Sequence, residues 1–219
     1  MIIISMAIKK IVKIWEDSNI VKKNINFLHQ KTKTVTFPAS DYIKQIVQDL
    51  IDTYQNISCA GLAANQIGYD YKIFIGMKDV KDIENEDEIE KMEASATNTN
   101  KNPYQNNYEI YINPQIDKMD NKSLNIDEEG CLSIPDLLVA RERFDEIKIR
   151  YYDINGKKIK KMLSGFLSKL YQHELDHLNG KLMFDDIAKV ENLYPLNPTK
   201  KEAEKYSKLF SDYRNFTNK

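Results

Sequence analysis

Residues 164–180 read SGFLSKLYQHELDHLNG, and the interpretation of the whole chain turns on this stretch. Ser164 stands where a helix N-cap belongs and Asn179-Gly180 where a helix stops, so the spacing predicts a helix over about 165–178. Within it His173 and His177 lie four residues apart, roughly one turn, and project from one face. Leu170 and Leu178 share that part of the helix, which turns the histidine face inward. Inward-facing imidazoles need partners, and a metal ion supplies one. Glu174 sits beside them, placed to handle the proton of a hydrolytic water. As a pattern, however, HExxH is short, and a helix that merely contains two histidines fits it equally well.

A catalytic metal site usually has three protein ligands and an open position. The extended motif HExxHxxGxxH would place a third histidine after the glycine; Gly180 is in register here, but that position holds Met183. Glu191, Glu202 and Glu204 are carboxylates farther along, and His29 is remote. Cys131 lies in Glu129-Gly130-Cys131-Leu132-Ser133. Two readings of it stay open. It is either a small buried cysteine in a turn, or a thiolate ligand whose preceding glycine lets backbone pass close to a substrate.

The 219 residues suit one globular domain, expected to span 1–198, followed by a C-terminal amphipathic helix and tail over 199–219. Apolar residues make up 42% and charged residues 30%, an ordinary soluble composition. A net charge of −1 provides no overall field for steering onto nucleic acid, so sequence-specific nucleic-acid binding is not expected. Two cysteines, Cys59 and Cys131, exclude a disulfide-rich secreted scaffold and fit a reducing compartment. No signal-peptide core or membrane-spanning apolar run occurs, so the expectation is a soluble cytoplasmic monomer. Met6-Ala7 is an alternative start.

Outward from the motif, residues 40–55 place Ile43, Ile46, Val47, Leu50, Ile51 and Tyr54 on one helical stripe, with Ser40 or Asp41 as cap. SCAGLAANQIGYD (58–70) is a small-residue segment suited to close backbone approach, and YKIFIGM (71–77) reads as a buried strand. Residues 78–107 are acidic and lysine-dotted, then rich in asparagine and threonine; they read as a disordered surface insertion. YEIYINP (108–114) reads as a strand ended by Asn113-Pro114. FDEIKIRYYDI and KKIKKMLSG flank Asn155-Gly156, a strong hairpin signal. Thr199 and Glu202 form a capping box for a helix that puts Ala203, Tyr206, Leu209, Phe210 and Tyr213 on one face. Short strands with a few helices and no internal repeat indicate an α+β fold.

Three segments taken together resemble peptide deformylase. That family's motifs are G-x-G-L-A-A-x-Q, E-G-C-L-S and H-E-x-D-H; here they stand as Cys59–Gln66, Glu129–Ser133 and His173–His177, with Asp176 included. Their order, the 42-residue step from Cys131 to His173 and the continuation LNGKLMFDD are also similar to the family. The likeness spans roughly residues 6–190 apart from 78–107. It implies antiparallel β-sheets packed around a central helix that carries HExxH. The implied reaction removes the N-formyl group from the formyl-methionine of new polypeptides and releases formate.

By the same resemblance Cys131 sulfur and the Nε2 atoms of His173 and His177 hold one divalent ion, Fe(II) in the cell, with Zn, Ni or Co as substitutes. Glu174 is then the general acid and base, while the Gln66 carboxamide and the Leu132 backbone N–H donate to the developing oxyanion. Asp176 and Ser133 carry no assigned chemistry, and Glu129 orients the cysteine loop, paired with Arg141 or Arg143. Ala60, Gly61 and Gly130 offer backbone along which an extended peptide lies as an added strand. Phe166 and Leu170 are candidates for the methionine pocket, with plain core packing as the equal alternative.

One position departs from the motif. Cys59 replaces the first glycine and would be strained at positive φ; it is either a small packed residue or an oxidisable thiol. From Thr199 onward six Lys or Arg face three Asp or Glu. That segment is a solvated amphipathic helix or, by likeness to bacterial deformylases, a helix that docks on the ribosome. Two rivals remain: a zinc metallopeptidase using His173, His177 and Glu191, and a non-enzymatic binding protein.

Overall fold

A computed structural model of the chain describes residues 8–78, 102–185, 193–195 and 199–217. In chain order they form β1 (Trp15–Glu16), β2 (Asn19–Ile20), α1 (Lys22–Leu28) and α2 (Asp41–Gln55). Next come β3 (Gly61–Ala63), a 3-10 turn (Ala64–Ile67), β4 (Ile73–Met77), β5 (Tyr108–Met119), β6 (Leu124–Cys131) and β7 (Ile134–Phe144). The chain continues with β8 (Glu146–Tyr152), β9 (Lys158–Ser164), α3 (Gly165–Leu178), β10 (Leu193–Pro195) and α4 (Lys200–Thr217). The strands build an antiparallel five-stranded sheet in the order β3-β4-β5-β8-β9, a three-stranded sheet β10-β7-β6 and the small pair β1-β2. This is an α+β fold.

Alternation along β4 decides what covers the larger sheet. Ile73 and Ile75 point to one face and pack with Ile43, Ile46, Leu50 and Tyr54 of α2, the stripe read from the sequence. Phe74 points to the other face and packs with Tyr111, Ile147, Ile149, Tyr151 and α3 residues Tyr171 and Leu178. Burying these two faces is the main stabilising term, at roughly 1.5–3 kcal/mol for each large apolar side chain. α3 also reaches β7 of the smaller sheet, so the HExxH helix contacts strands of both sheets. A third cluster joins Trp15, Leu28, Leu137, Val139 and Phe184 to Tyr206, Leu209, Phe210 and Tyr213 of α4.

Several expectations need correction. The strand at 108 does not end at Asn113-Pro114 but runs to Met119, through a register shift between Ile112 and Gln115. Asn113 absorbs the irregularity with φ of 50°, and its carboxamide clasps Val35 N–H and C=O at 2.8 Å each, replacing a ladder rung. Ser164 holds the N-cap position of α3, yet its side chain makes no capping bond. Gly165, at φ of 57°, instead donates its N–H to Asp145 C=O at 2.9 Å. Ala203 is exposed, off the buried face of α4. Within the segment read as a surface insertion, residues 79–101 lie outside the described residues, but Asn102 is fully buried. Its Nδ2 donates to Tyr54 C=O at 2.8 Å and Cys59 C=O at 2.9 Å, capping the end of α2. Other elements follow the sequence reading: Ser40 Oγ accepts from Ile43 N–H, Gly156 turns the β8-β9 hairpin at φ of 81°, and Thr199 and Glu202 cap α4 reciprocally.

Candidate active site

A cavity of about 800 Å³ opens between β3 and β6, the edge strands of the two sheets, with α3 along its wall. Each edge strand exposes a row of unpaired backbone groups. Cys59, Ala60, Gly61 and Gln66 line one side, Glu129, Gly130, Cys131 and Leu132 the other, and Phe166, Leu170, His173 and Glu174 the helix wall. The residues expected to bind metal, catalyse or hold substrate therefore border this cavity, apart from His177, which is almost fully buried.

Cys131, His173 and His177 converge so that one donor atom from each lies within 4.8 Å of the others. Cys131 Sγ is 3.1 Å from His177 Nε2, and the two imidazoles cross edge to face with centroids 4.9 Å apart. One thiol and two imidazoles are a borderline-soft donor set, the kind that takes a divalent transition metal. The residues fit an ion on this chemistry, and among the described residues they form the one such group.

The ring of His173 is fixed from behind. Its Nδ1 lies 3.3 Å from Glu129 Oε1, which leaves Nε2 for the cavity side. Glu129 in turn accepts from Arg143 Nε at 3.0 Å and Nη2 at 2.8 Å, and Arg143 Nη1 donates to Asp176 at 2.6 Å. Burial alone would raise the Glu129 carboxyl, but hydrogen bonds and charge from His173 and Arg143 hold it at about 2. Of the two arginines considered for Glu129, Arg143 makes this pair, while Arg141 Nη1 donates to Met183 C=O at 2.6 Å. Asp176, for which the sequence suggested no chemistry, closes the ion network. Burial drives His177 well below the usual imidazole range, so it stays neutral.

Glu174 is 2% exposed, and its Oε2 has no hydrogen-bond partner among the described residues. Burial, reinforced by Glu129 and opposed by His173, lifts its carboxyl to about 7. Gly61 makes room for it: a Cβ there would stand 2.5 Å from Glu174 Oε1 and 2.7 Å from Leu170 Cδ1. Gln66 accepts Ala63 N–H through Oε1 at 2.8 Å, which turns its Nε2 toward Cys131 Sγ at 3.5 Å and Ser133 Oγ at 3.3 Å. The N-terminal segment straps both loops in place, Val12 N–H donating to Gln66 C=O at 2.8 Å and Ile14 N–H to Ser133 C=O at 3.0 Å.

Cys59 is not among the residues of positive φ, so cysteine is unstrained there. Burial, with the charge of Glu174, pushes its thiol far above the usual range, as suits a packed residue. Phe166 is largely exposed at the cavity mouth and Leu170 faces Gly61 and Gly76, so neither is plain core. His29 stands elsewhere, bonded to Asp185 and to Tyr213 of α4. Glu191 lies outside the described residues. Sequence reasoning missed Asn65, whose Nδ2 donates to His177 C=O at 2.6 Å, and also Asn102, Asp127 and Lys169. Side-chain bonds between residues far apart in sequence leave no local pattern; adjacency of Asn65 to Gln66 was the one available clue.

The sequence pattern of the polypeptide deformylase family matches residues 17–193. The chain is 35% identical over 210 residues to a peptide deformylase of Elusimicrobium minutum, covering 94% of this chain and 100% of that one. The crystal structure of peptide deformylase from Thermotoga maritima superposes with a TM-score of 0.62 at 28% identity, covering 84% of this chain and 99% of that one. Peptide deformylase from Plasmodium falciparum gives 0.61 at 29% identity, with 94% and 98% covered.

Proposed function

This chain belongs to the polypeptide deformylase family, and on that premise we propose that it hydrolyses the N-formyl group of formyl-methionine at the start of new polypeptides. The observation that carries the reading is the meeting of Cys131, His173 and His177 with Glu174 and Gln66 at one cavity. Cys131 Sγ and the imidazoles of His173 and His177 would hold one divalent ion, Fe(II) in the cell, with Zn, Ni or Co as substitutes. When bound, such an ion supplies a hydrolytic nucleophile at neutral pH and polarises a carbonyl oxygen. In this reading α3, which touches both sheets, is the central element of the fold.

The chain's own residues do the rest. A formyl peptide lies extended between the free edges of β3 and β6, bonded to backbone at Ala60, Gly61 and Gly130 as an added strand. Its first side chain enters the space between Phe166 and Leu170. Glu174 takes the proton released as the carbonyl is attacked and returns it to the departing amine, a task suited to a carboxyl near neutrality. Gln66 Nε2 and the Leu132 N–H donate to the oxyanion; loss of one such donor costs about 10²–10³ in rate. Glu129 and Arg143 keep the His173 ring oriented.

Incubating the anaerobically purified, metal-loaded protein with formyl-Met-Ala-Ser tests the reading. Formate and free Met-Ala-Ser are the expected products, whereas cleavage of the internal peptide bonds would favour a metallopeptidase. For α4, whose Lys200, Lys201 and Lys208 are exposed, the proposed partner is the ribosome. Such binding weakens steeply as salt rises.

A further inference from the structure

The helix wall of the cavity carries a charge that the deformylase reading does not use. Asp127 precedes Glu129 by two positions on β6, and Lys169 precedes His173 by four on α3. The residues meet in matching pairs: Glu129 Oε1 lies 3.3 Å from His173 Nδ1, and Asp127 Oδ2 accepts from Lys169 Nζ at 2.8 Å. Four helical residues rise about 6 Å and two strand residues about 6.6 Å, so the Asp127–Lys169 pair is the next rung, roughly 6 Å from His173. Phe166 and Leu170 flank Lys169, and all four line the cavity. That distance, about the length of one amino-acid side chain, is measured from His173.

The two partners are sheltered unequally. The Lys169 side chain is 15% exposed and that of Asp127 58%. The ammonium thus stands in the wall with its counter-ion at the rim, and a sheltered charge without a partner is costly. The other carboxylates at the cavity are Glu129, committed to Arg143 and His173, Asp136, which accepts from Tyr206, the buried Glu174, and Glu128, which is exposed next to Asp127. Lys169 holds the Asp127 carboxyl below the usual range.

We propose that Lys169, masked by Asp127, is a specificity-determining residue of the pocket for the first side chain of the peptide. Paired, it presents its methylene stem beside Leu170 and Phe166, a surface for an unbranched apolar chain such as methionine. Unmasked, its ammonium draws an acidic side chain into the same place. The inference rests on the deformylase reading.

The test compares kcat/KM for formyl-Met-Ala-Ser and formyl-Glu-Ala-Ser in single preparations of the metal-loaded wild type, Asp127→Asn and Lys169→Met. The ratio of the two cancels differences in folding and metal loading between variants. Asp127→Asn should lower the preference for methionine by up to about fivefold, and Lys169→Met should raise it, since one partly exposed ion pair contributes up to about 1 kcal/mol. An unchanged ratio in both variants overturns this inference alone. No turnover of either peptide by the wild type overturns the deformylase reading, and this inference with it.

Discussion

Gly61→Ala separates catalysis from metal binding by a single methyl group. The added carbon would stand 2.5 Å from Glu174 Oε1, 3.0 Å from Glu174 Cδ and 2.7 Å from Leu170 Cδ1. Ordinary contacts fall near 3.5–4.0 Å, so the carboxylate must withdraw by about 1 Å. Leu170 is half-buried and can change rotamer, but Glu174 is 2% exposed and has little room to swing. Backbone strain plays no part, because Gly61 is not among the glycines of positive φ. Misplacing a catalytic group by about 1 Å costs about 10²-fold in rate, and overpacking costs about 1–3 kcal/mol of stability. None of the three nearest atoms belongs to Cys131, His173 or His177, so the metal should stay. The assay is steady-state formate release from formyl-Met-Ala-Ser, with metal content and thermal melting measured on the same samples. A folded, metal-replete variant with kcat about a hundredfold lower is expected. Wild-type kcat in that variant would refute both the role of Glu174 and the claim that Gly61 exists to make room for it.

Arg143→Met leaves Glu129 with His173 and Asp176 with Arg141 at 3.6 Å but removes the guanidinium that joins them, which should cost about 1–3 kcal/mol, read as a lower urea midpoint at unchanged slope. Asn102→Ala takes the carboxamide donor from Cys59 C=O and from Tyr54 C=O, which keeps Ile57 N–H at 3.4 Å; a loss of about 1–2 kcal/mol and faster amide exchange over residues 54–60 are expected. The pair of His29 and Asp185 makes the attachment of α4 sensitive to pH. Asp185 raises His29 above its ordinary 6.5, so this contribution is complete below 6.5 and lost as pH rises through the raised value. Burial opposes it, yet hydrogen bonds from His29, Leu182 N–H and Tyr213 hold Asp185 below its ordinary 3.8, so its contribution is lost only as pH falls through that lowered value. His29→Gln should therefore lower the melting temperature more at pH 5.5 than at pH 8.5.

The parts of this molecule legible in its sequence are those written in short-range periodicity. A 3.6-residue stripe announced α2, Asn155-Gly156 announced the β8-β9 hairpin, and the four-residue spacing of His173 and His177 put both rings on one face of α3. Cys131 was different: its neighbours allowed a ligand or a packed cysteine, and resemblance to a family tipped the reading. What escaped was long-range satisfaction of polar groups. Asn102 looks like one more residue of a polar run, yet it is buried, its carboxamide donating to the carbonyls of Tyr54 in α2 and Cys59 beyond it. Pro114 reads as a strand terminator, but the Asn113 carboxamide replaces the lost ladder bonds by reaching Val35. The pairing of Asp127 with Lys169 depends on how β6 lies along α3, which no local pattern encodes.

Cys131, His173 and His177 are proposed to form one metal site that sustains hydrolysis. The direct measurement is metal per chain together with formate release in wild type and Cys131→Ser, both purified anaerobically with one ion offered. The wild type should hold one ion per chain and turn over in proportion to it, and Cys131→Ser should lose most of both. Full metal occupancy and undiminished formate release in Cys131→Ser would contradict the account.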